Sequence, residues 1–208
     1  DRSPSRGLGD VYKRQDLYLG GIHMATKIFV DAGHGGTNPG AVGNGVIEAN
    51  VNLAVATALA NNLRNMGYDV REYRTTNDEN VITPIAADLR KRAQTANDWG
   101  ADYFISIHTN SSLDPAVNGF ETYVYRLGTR SAQLAQSIQD SVVQRLGVKD
   151  NGVRQANFSV LRNTRMPAVL VELGYLSNPT EALNLNSPLW QNKMASAIAD
   201  GINNYIKR

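Results

Sequence analysis

Short apolar, β-branched runs bounded by Gly, Asn or Asp recur along the chain at residues 27–31, 68–74, 103–108, 120–125, 158–161 and 168–172. Runs of this length and composition predict strands. Between the first two lies EANVNLAVATALANNLRNMG, in which apolar residues return every three or four positions until Gly67. That period predicts a long amphipathic helix with a glycine C-terminal signal. Further helices are predicted over 84–99, 131–146 and 188–206, the first and last opened by Thr-Pro and Ser-Pro, a cap followed by a first-turn proline. Strand, helix, strand alternation is the pattern of a parallel sheet with crossover helices. The expected fold is therefore α/β, a single domain with an open, mostly parallel twisted sheet of about six strands and helices on both faces.

Composition narrows the class of function. The 208 residues are 42% hydrophobic, enough for one well-buried domain. The formal net charge is only +2, with Lys and Arg scattered among Asp and Glu, so no basic stripe suits nucleic acid. No apolar run approaches the roughly 18 residues of a membrane span, and the start has no apolar signal-peptide core. The expectation is cytoplasmic synthesis without membrane insertion. Residues 5–15, SRGLGDVYKRQ, resemble the in-frame translation of a sequencing adapter. Residues 1–23 are thus expected to be a non-native, disordered leader, with the folded domain spanning 24–208 from Met24. Zero cysteines exclude disulfides, thiol nucleophiles and thiolate metal sites. Any metal must be held by His, Asp or Glu.

Open α/β sheets bind ligands beyond the carboxyl ends of their strands. Three polar residues stand there: His34 after KIFVDAG, His108 at the end of ADYFISIH, and Glu172 at the end of PAVLVE. Glu48 opens the long helix after a Gly-rich loop that can fold it back over the same edge. Two imidazoles and one carboxylate suit a tetrahedral zinc site with its fourth position open, and a second carboxylate beside it can shuttle a proton. That set of groups spells metal-assisted amide hydrolysis. Singly, each residue has a plainer role: a loop histidine, a strand-end carboxylate, a negative charge in a first helical turn. GHGG lacks the spaced glycines and Lys-Ser/Thr of a phosphate loop.

Several motifs in order, VDAGHGGTNPGAVGNGVIEANVNLAVA, LRKRAQTAN, ADYFISIHTNSS, NGFETYVY and FSVLRNTRMPAVLVELGYLSN, resemble the zinc-dependent N-acetylmuramoyl-L-alanine amidases of the Amidase_3 family from residue 27 to about residue 205. The resemblance implies one Zn2+ held by His34, Glu48 and His108, Glu172 as the catalytic carboxylate, and peptidoglycan as substrate, in an endolysin or autolysin acting on the wall after release. Asp31, Asn110 and Glu121 are candidates to orient these groups. Glu181, in NPTE, reads as a capping-box residue. Asn38 and Asn77 stand where the family often has Asp, with Asp78 one step later; neither falls on the four site positions, and altered peripheral loop contacts are expected. Only TNSSLDPAVNG separates His108 from the next strand, leaving no room for a blocking insert, so no activating partner is expected. Two other readings are a zinc peptidase cutting within the stem peptide and a wall-binding module without catalysis.

Overall fold

The computed structural model describes residues 25–77 and 84–208. The expected leader, Asp78 and Thr83 lie outside the described residues. Strand β1 (Lys27–Ala32) leads through a small hairpin, β2 (Val42–Gly43) and β3 (Val46–Ile47), into helix α1 (Glu48–Asn65). Then come β4 (Asp69–Glu72), α2 (Ile85–Trp99), β5 (Tyr103–Asn110), β6 (Phe120–Val124) and α3 (Arg130–Leu146). The chain continues with β7 (Asp150–Gln155), α4 (Ser159–Asn163), β8 (Ala168–Tyr175), α5 (Pro179–Leu185) and α6 (Pro188–Ile206). Among the described residues, six strands form one sheet in the order β4-β1-β5-β8-β6-β7. Its pairings are parallel except that β6 runs antiparallel to β8.

Strand side chains alternate between faces, and the two faces bury different helices. Ile28, Val30, Ile105, Ile107, Val169 and Val171 pack with Leu59 of α1, Leu134 of α3 and Ile198 of α6. Each such fully buried aliphatic side chain contributes roughly 1.5–3 kcal/mol. On the other face, Phe29, Phe104 and Leu170 pack with Ala96 of α2 and with Val160 and Leu161 of α4. Extending that second alternation by two residues per strand reaches Asp31, Ser106 then His108, and Glu172. The polar residues at the strand ends therefore share one face, the one bearing α2 and α4.

Three expectations are corrected. Residues 158–161 form no strand: Ser159–Asn163 is helix α4, with Val160 and Leu161 buried and Arg162 exposed. A four-residue apolar run has too few positions to separate the two periods. The sixth strand is instead β7, whose sequence DNGVRQ has Asp, Asn and Gly that disfavour strands; its pairing with β6 at the sheet edge overrides that preference. Pro84 is the residue preceding α2 rather than its first-turn proline. At α6 the reading holds, since Ser187 accepts a hydrogen bond from the Trp190 amide and Pro188 opens the helix.

Candidate metal centre

His34 lies two residues beyond β1, just after the Gly33 amide has donated to Ile107 O at 2.9 Å. Its φ is 60°, a left-handed conformation uncommon outside glycine. The turn is closed by reciprocal backbone bonds between Gly35 and Asn38, each 2.9 Å. Glu48 is the first residue of α1; its Oε2 accepts from the Ala41 amide at 2.8 Å, and its own amide donates to Ala41 O at 2.9 Å. These paired bonds return the hairpin loop to the sheet edge. His108 sits near the end of β5, ahead of an irregularity in pairing with β8 at His108–Asn110.

Three distant segments thus converge. Glu48 Oε1 lies 3.2 Å from His34 Nε2 and 3.0 Å from His108 Nδ1, and the two rings meet edge to face at 5.0 Å between centroids. One donor atom from each residue falls within 4.8 Å of the others. Two imidazole nitrogens and a carboxylate oxygen fit zinc. Space is reserved for them: a Cβ on Gly33 would lie 2.2 Å from His108 Cε1, and one on Gly40 would lie 2.5 Å from Glu48 Oε2. Burial favours the neutral form of Glu48, but hydrogen bonds from His108 and His34 outweigh it and hold the carboxyl well below its ordinary range. Burial lowers the His34 imidazole, yet the bond to Glu48 prevails and leaves it raised.

Polar groups surround His34 and Glu48. Asn38 Oδ1 lies 3.1 Å from His34 Nδ1 and accepts from the Gly40 amide at 3.1 Å, so the oxygen faces the ring. Nδ1 then carries the proton and Nε2 is free to ligate. Asn52, one turn after Glu48, donates to Glu48 Oε1 and to Gly33 O, both at 3.2 Å. The Thr109 amide also reaches Glu48 Oε1 at 3.2 Å.

Glu172 is paired with His108 across β5 and β8 and with Glu121 across β6 and β8. Its Oε2 is buried without a hydrogen-bond partner. Burial first, then the charges of Glu48 and Glu121, raise its carboxyl well above the usual range. His34, His108 and Glu172 line a cavity of about 240 Å³ together with Leu89, Phe158 and Val160.

The expected orienting residues fare differently. Asp31 touches none of the four; it accepts from Ser106 Oγ at 2.8 Å and pairs with Arg92 at 2.7 Å. Glu121, the register partner of Glu172, accepts from Asn110 Nδ2 and Tyr175 OH, both at 2.8 Å. Asn38, expected to be peripheral, contacts the His34 ring directly. Glu181 makes no capping box: Asn178 caps α5, while the Glu181 carboxylate accepts from the Tyr175 amide at 2.7 Å and the Gly119 amide at 3.0 Å. Asn52, Arg74 and Arg92 were not singled out by sequence. Asn52 alone had a local signal, its helical spacing of four from Glu48.

The Amidase_3 family model, described as N-acetylmuramoyl-L-alanine amidase, matches residues 28–204. The chain is 39% identical over 180 residues to the uncharacterized protein YqiI of Bacillus subtilis, covering 86% of this chain and 84% of that one. It is 36% identical over 177 residues to the sporulation-specific N-acetylmuramoyl-L-alanine amidase of the same organism, covering 85% of this chain and 66% of the relative. The solved N-acetylmuramoyl-L-alanine amidase from Clostridium difficile 630 has a similar fold, with TM-score 0.82 at 33% identity over 88% of this chain and 98% of that one.

Proposed function

This chain belongs to the Amidase_3 family of N-acetylmuramoyl-L-alanine amidases, hydrolases of peptidoglycan, and from that premise we propose how its site divides the work. His34, His108 and the Glu48 carboxylate would hold one Zn2+, through His34 Nε2 and His108 Nδ1, and Glu172 would move the proton. The bond cut is the amide joining the lactyl group of N-acetylmuramic acid to L-alanine. The observation that carries this reading is the approach of three ligand atoms within 4.8 Å, beside a carboxyl whose neighbour in the sheet register is one of those ligands.

Zinc bound there supplies a Lewis acid for the scissile carbonyl and a positive charge that favours the ionised form of Glu172. Glu172 takes the proton of the attacking water and returns it to the departing L-alanine nitrogen. The burial of its Oε2 suits both halves of that task, because a carboxylate oxygen with no competing hydrogen bond has high proton affinity. Asn38 and Asn52 keep His34 and Glu48 aligned.

The site is open without an activator in this reading. The loop after β5 is tied down by Ser112 N to Ser177 Oγ at 3.0 Å, Asn178 Nδ2 to Pro115 O at 2.9 Å, and Gly119 N to Glu181. Among the described residues no helix is long and apolar enough to cross a membrane.

Mass spectrometry of soluble products from purified peptidoglycan digested by the zinc-loaded chain tests the proposal. Stem peptides with a free L-alanine amine, released from intact glycan, are expected. Cuts within the stem would assign the same groups to a peptidase, and an absence of cuts would leave wall binding alone.

A further inference from the structure

We propose that Arg74 is a positioning residue of the metal centre: its buried guanidinium ties the loop bearing His34 to the start of the helix bearing Glu48. Arg74 follows Tyr73 just beyond β4 and is 1% exposed. Its Nε donates to Ala32 O at 3.0 Å, and its Nη2 donates to both Gly33 O and Ala49 O at 2.9 Å. Gly33 precedes His34 and Ala49 follows Glu48, so one nitrogen joins the chain neighbours of two ligands. Packing is close enough that a Cβ on Gly35 would stand 2.8 Å from Arg74 Nε.

The loop needs such a constraint. His34 holds a left-handed backbone that a non-glycine residue keeps only when its surroundings enforce it. Arg92 completes the enforcement from α2, donating to Ala32 O at 2.8 Å and His34 O at 2.9 Å. Three consecutive carbonyls, 32 to 34, are thereby held by two guanidinium groups. Arg92 lines the cavity and also pairs with Asp31 and Asp88, whereas Arg74 is absent from the cavity wall. Arg74 therefore reaches the reaction through the backbone beside the proposed ligands. A planar fork with five donors fixes several carbonyls at set angles, which a lysine ammonium on a flexible stem does not do. Asn77 extends the arrangement: its Oδ1 accepts from Arg74 Nη1 at 2.7 Å, and its carbonyl accepts from the Gly36 amide.

The inference rests on His34 and Glu48 being ligands, and its test separates the two ideas. Zinc affinity of the full chain is measured by competition with a fluorescent chelator for wild type and Arg74→Lys. Hydrogen exchange is followed in both metal-free proteins. Arg74→Lys should bind zinc about ten- to a hundred-fold more weakly, the range for losing a group that orients ligands. Amide exchange should quicken at residues 33–36 and 48–50 while α3 and α6 keep wild-type protection. Unchanged zinc affinity in folded Arg74→Lys overturns the proposal. If that variant does not fold, Asn77→Ala decides: a few-fold weaker zinc binding supports the tie, and wild-type affinity overturns it. Should wild type itself bind no zinc, the ligand assignment fails, and exchange alone decides the tie, with an unchanged rate at 33–36 in Arg74→Lys, or in Asn77→Ala if needed, overturning it.

Discussion

His108 on β5 and Glu172 on β8 are register partners in adjacent parallel strands, so the sheet itself places a proposed metal ligand beside the proposed proton carrier. Side chains at paired positions project from the same face with the strands about 4.8 Å apart. Glu172→Gln preserves shape while removing the proton-accepting oxygen. Zinc affinity should stay near wild type, and stem-peptide release should fall at least about a hundred-fold. Retained turnover in this variant, measured by muropeptide release, would remove Glu172 from the reaction.

The same residue carries a pH signature in the metal-free protein. The folded-state pKa of Glu172 is raised well above 4.5, so its ionisation opposes folding. Below 4.5 the carboxyl is neutral in both states and costs little; as pH rises above 4.5 the unfolded state gains by ionising first. Glu172→Gln removes that penalty. Thermal unfolding of metal-free protein from pH 4 to 8 should show the variant gaining on wild type as pH rises; parallel curves would contradict the raised Glu172 carboxyl.

Asn38 offers His34 Nδ1 a neutral acceptor at 3.1 Å. Asn38→Asp replaces it with a carboxylate and increases the basicity of the ring, so zinc should bind more tightly. Asn38→Leu removes the acceptor and should weaken binding by about ten-fold or more. Chelator competition reads both, and identical affinities across the three proteins would show that the contact does not orient the ring.

Gly33 leaves no room for a methyl group, since its Cβ would lie 2.2 Å from His108 Cε1 and 2.3 Å from Nε2. Gly33→Ala must displace the His108 ring. Overpacking of this kind costs roughly 1–3 kcal/mol, and the displaced ligand should lower zinc occupancy. Metal analysis after dialysis, beside a denaturant melt, checks both effects.

Purified enzyme should release stem peptides with no second protein present, because the loop after β5 is short and pinned through Glu181 and Ser177. Dependence on an added partner would contradict the open site.

The sequence by itself determined the α/β class, the long α1 and α6 helices, and the four polar residues at strand ends and a helix start. Those features rest on local periodicity and on a topological rule that strand ends carry the chemistry, both expressed in residue order. Tertiary structure decided the rest. The edge strand β7 exists because β6 offers it a hydrogen-bonding partner, against the preference of DNGVRQ. Residues 159–161 became helical where Val160 and Leu161 could bury against the α2 side of the sheet. Asn38, Asn52, Arg74 and Arg92 entered the site through contacts with backbone carbonyls and ligand atoms, and most of those partners lie far away in sequence. A carbonyl has no residue identity to read, so the groups that hold His34 and Glu48 in place become visible only once the chain has brought them together.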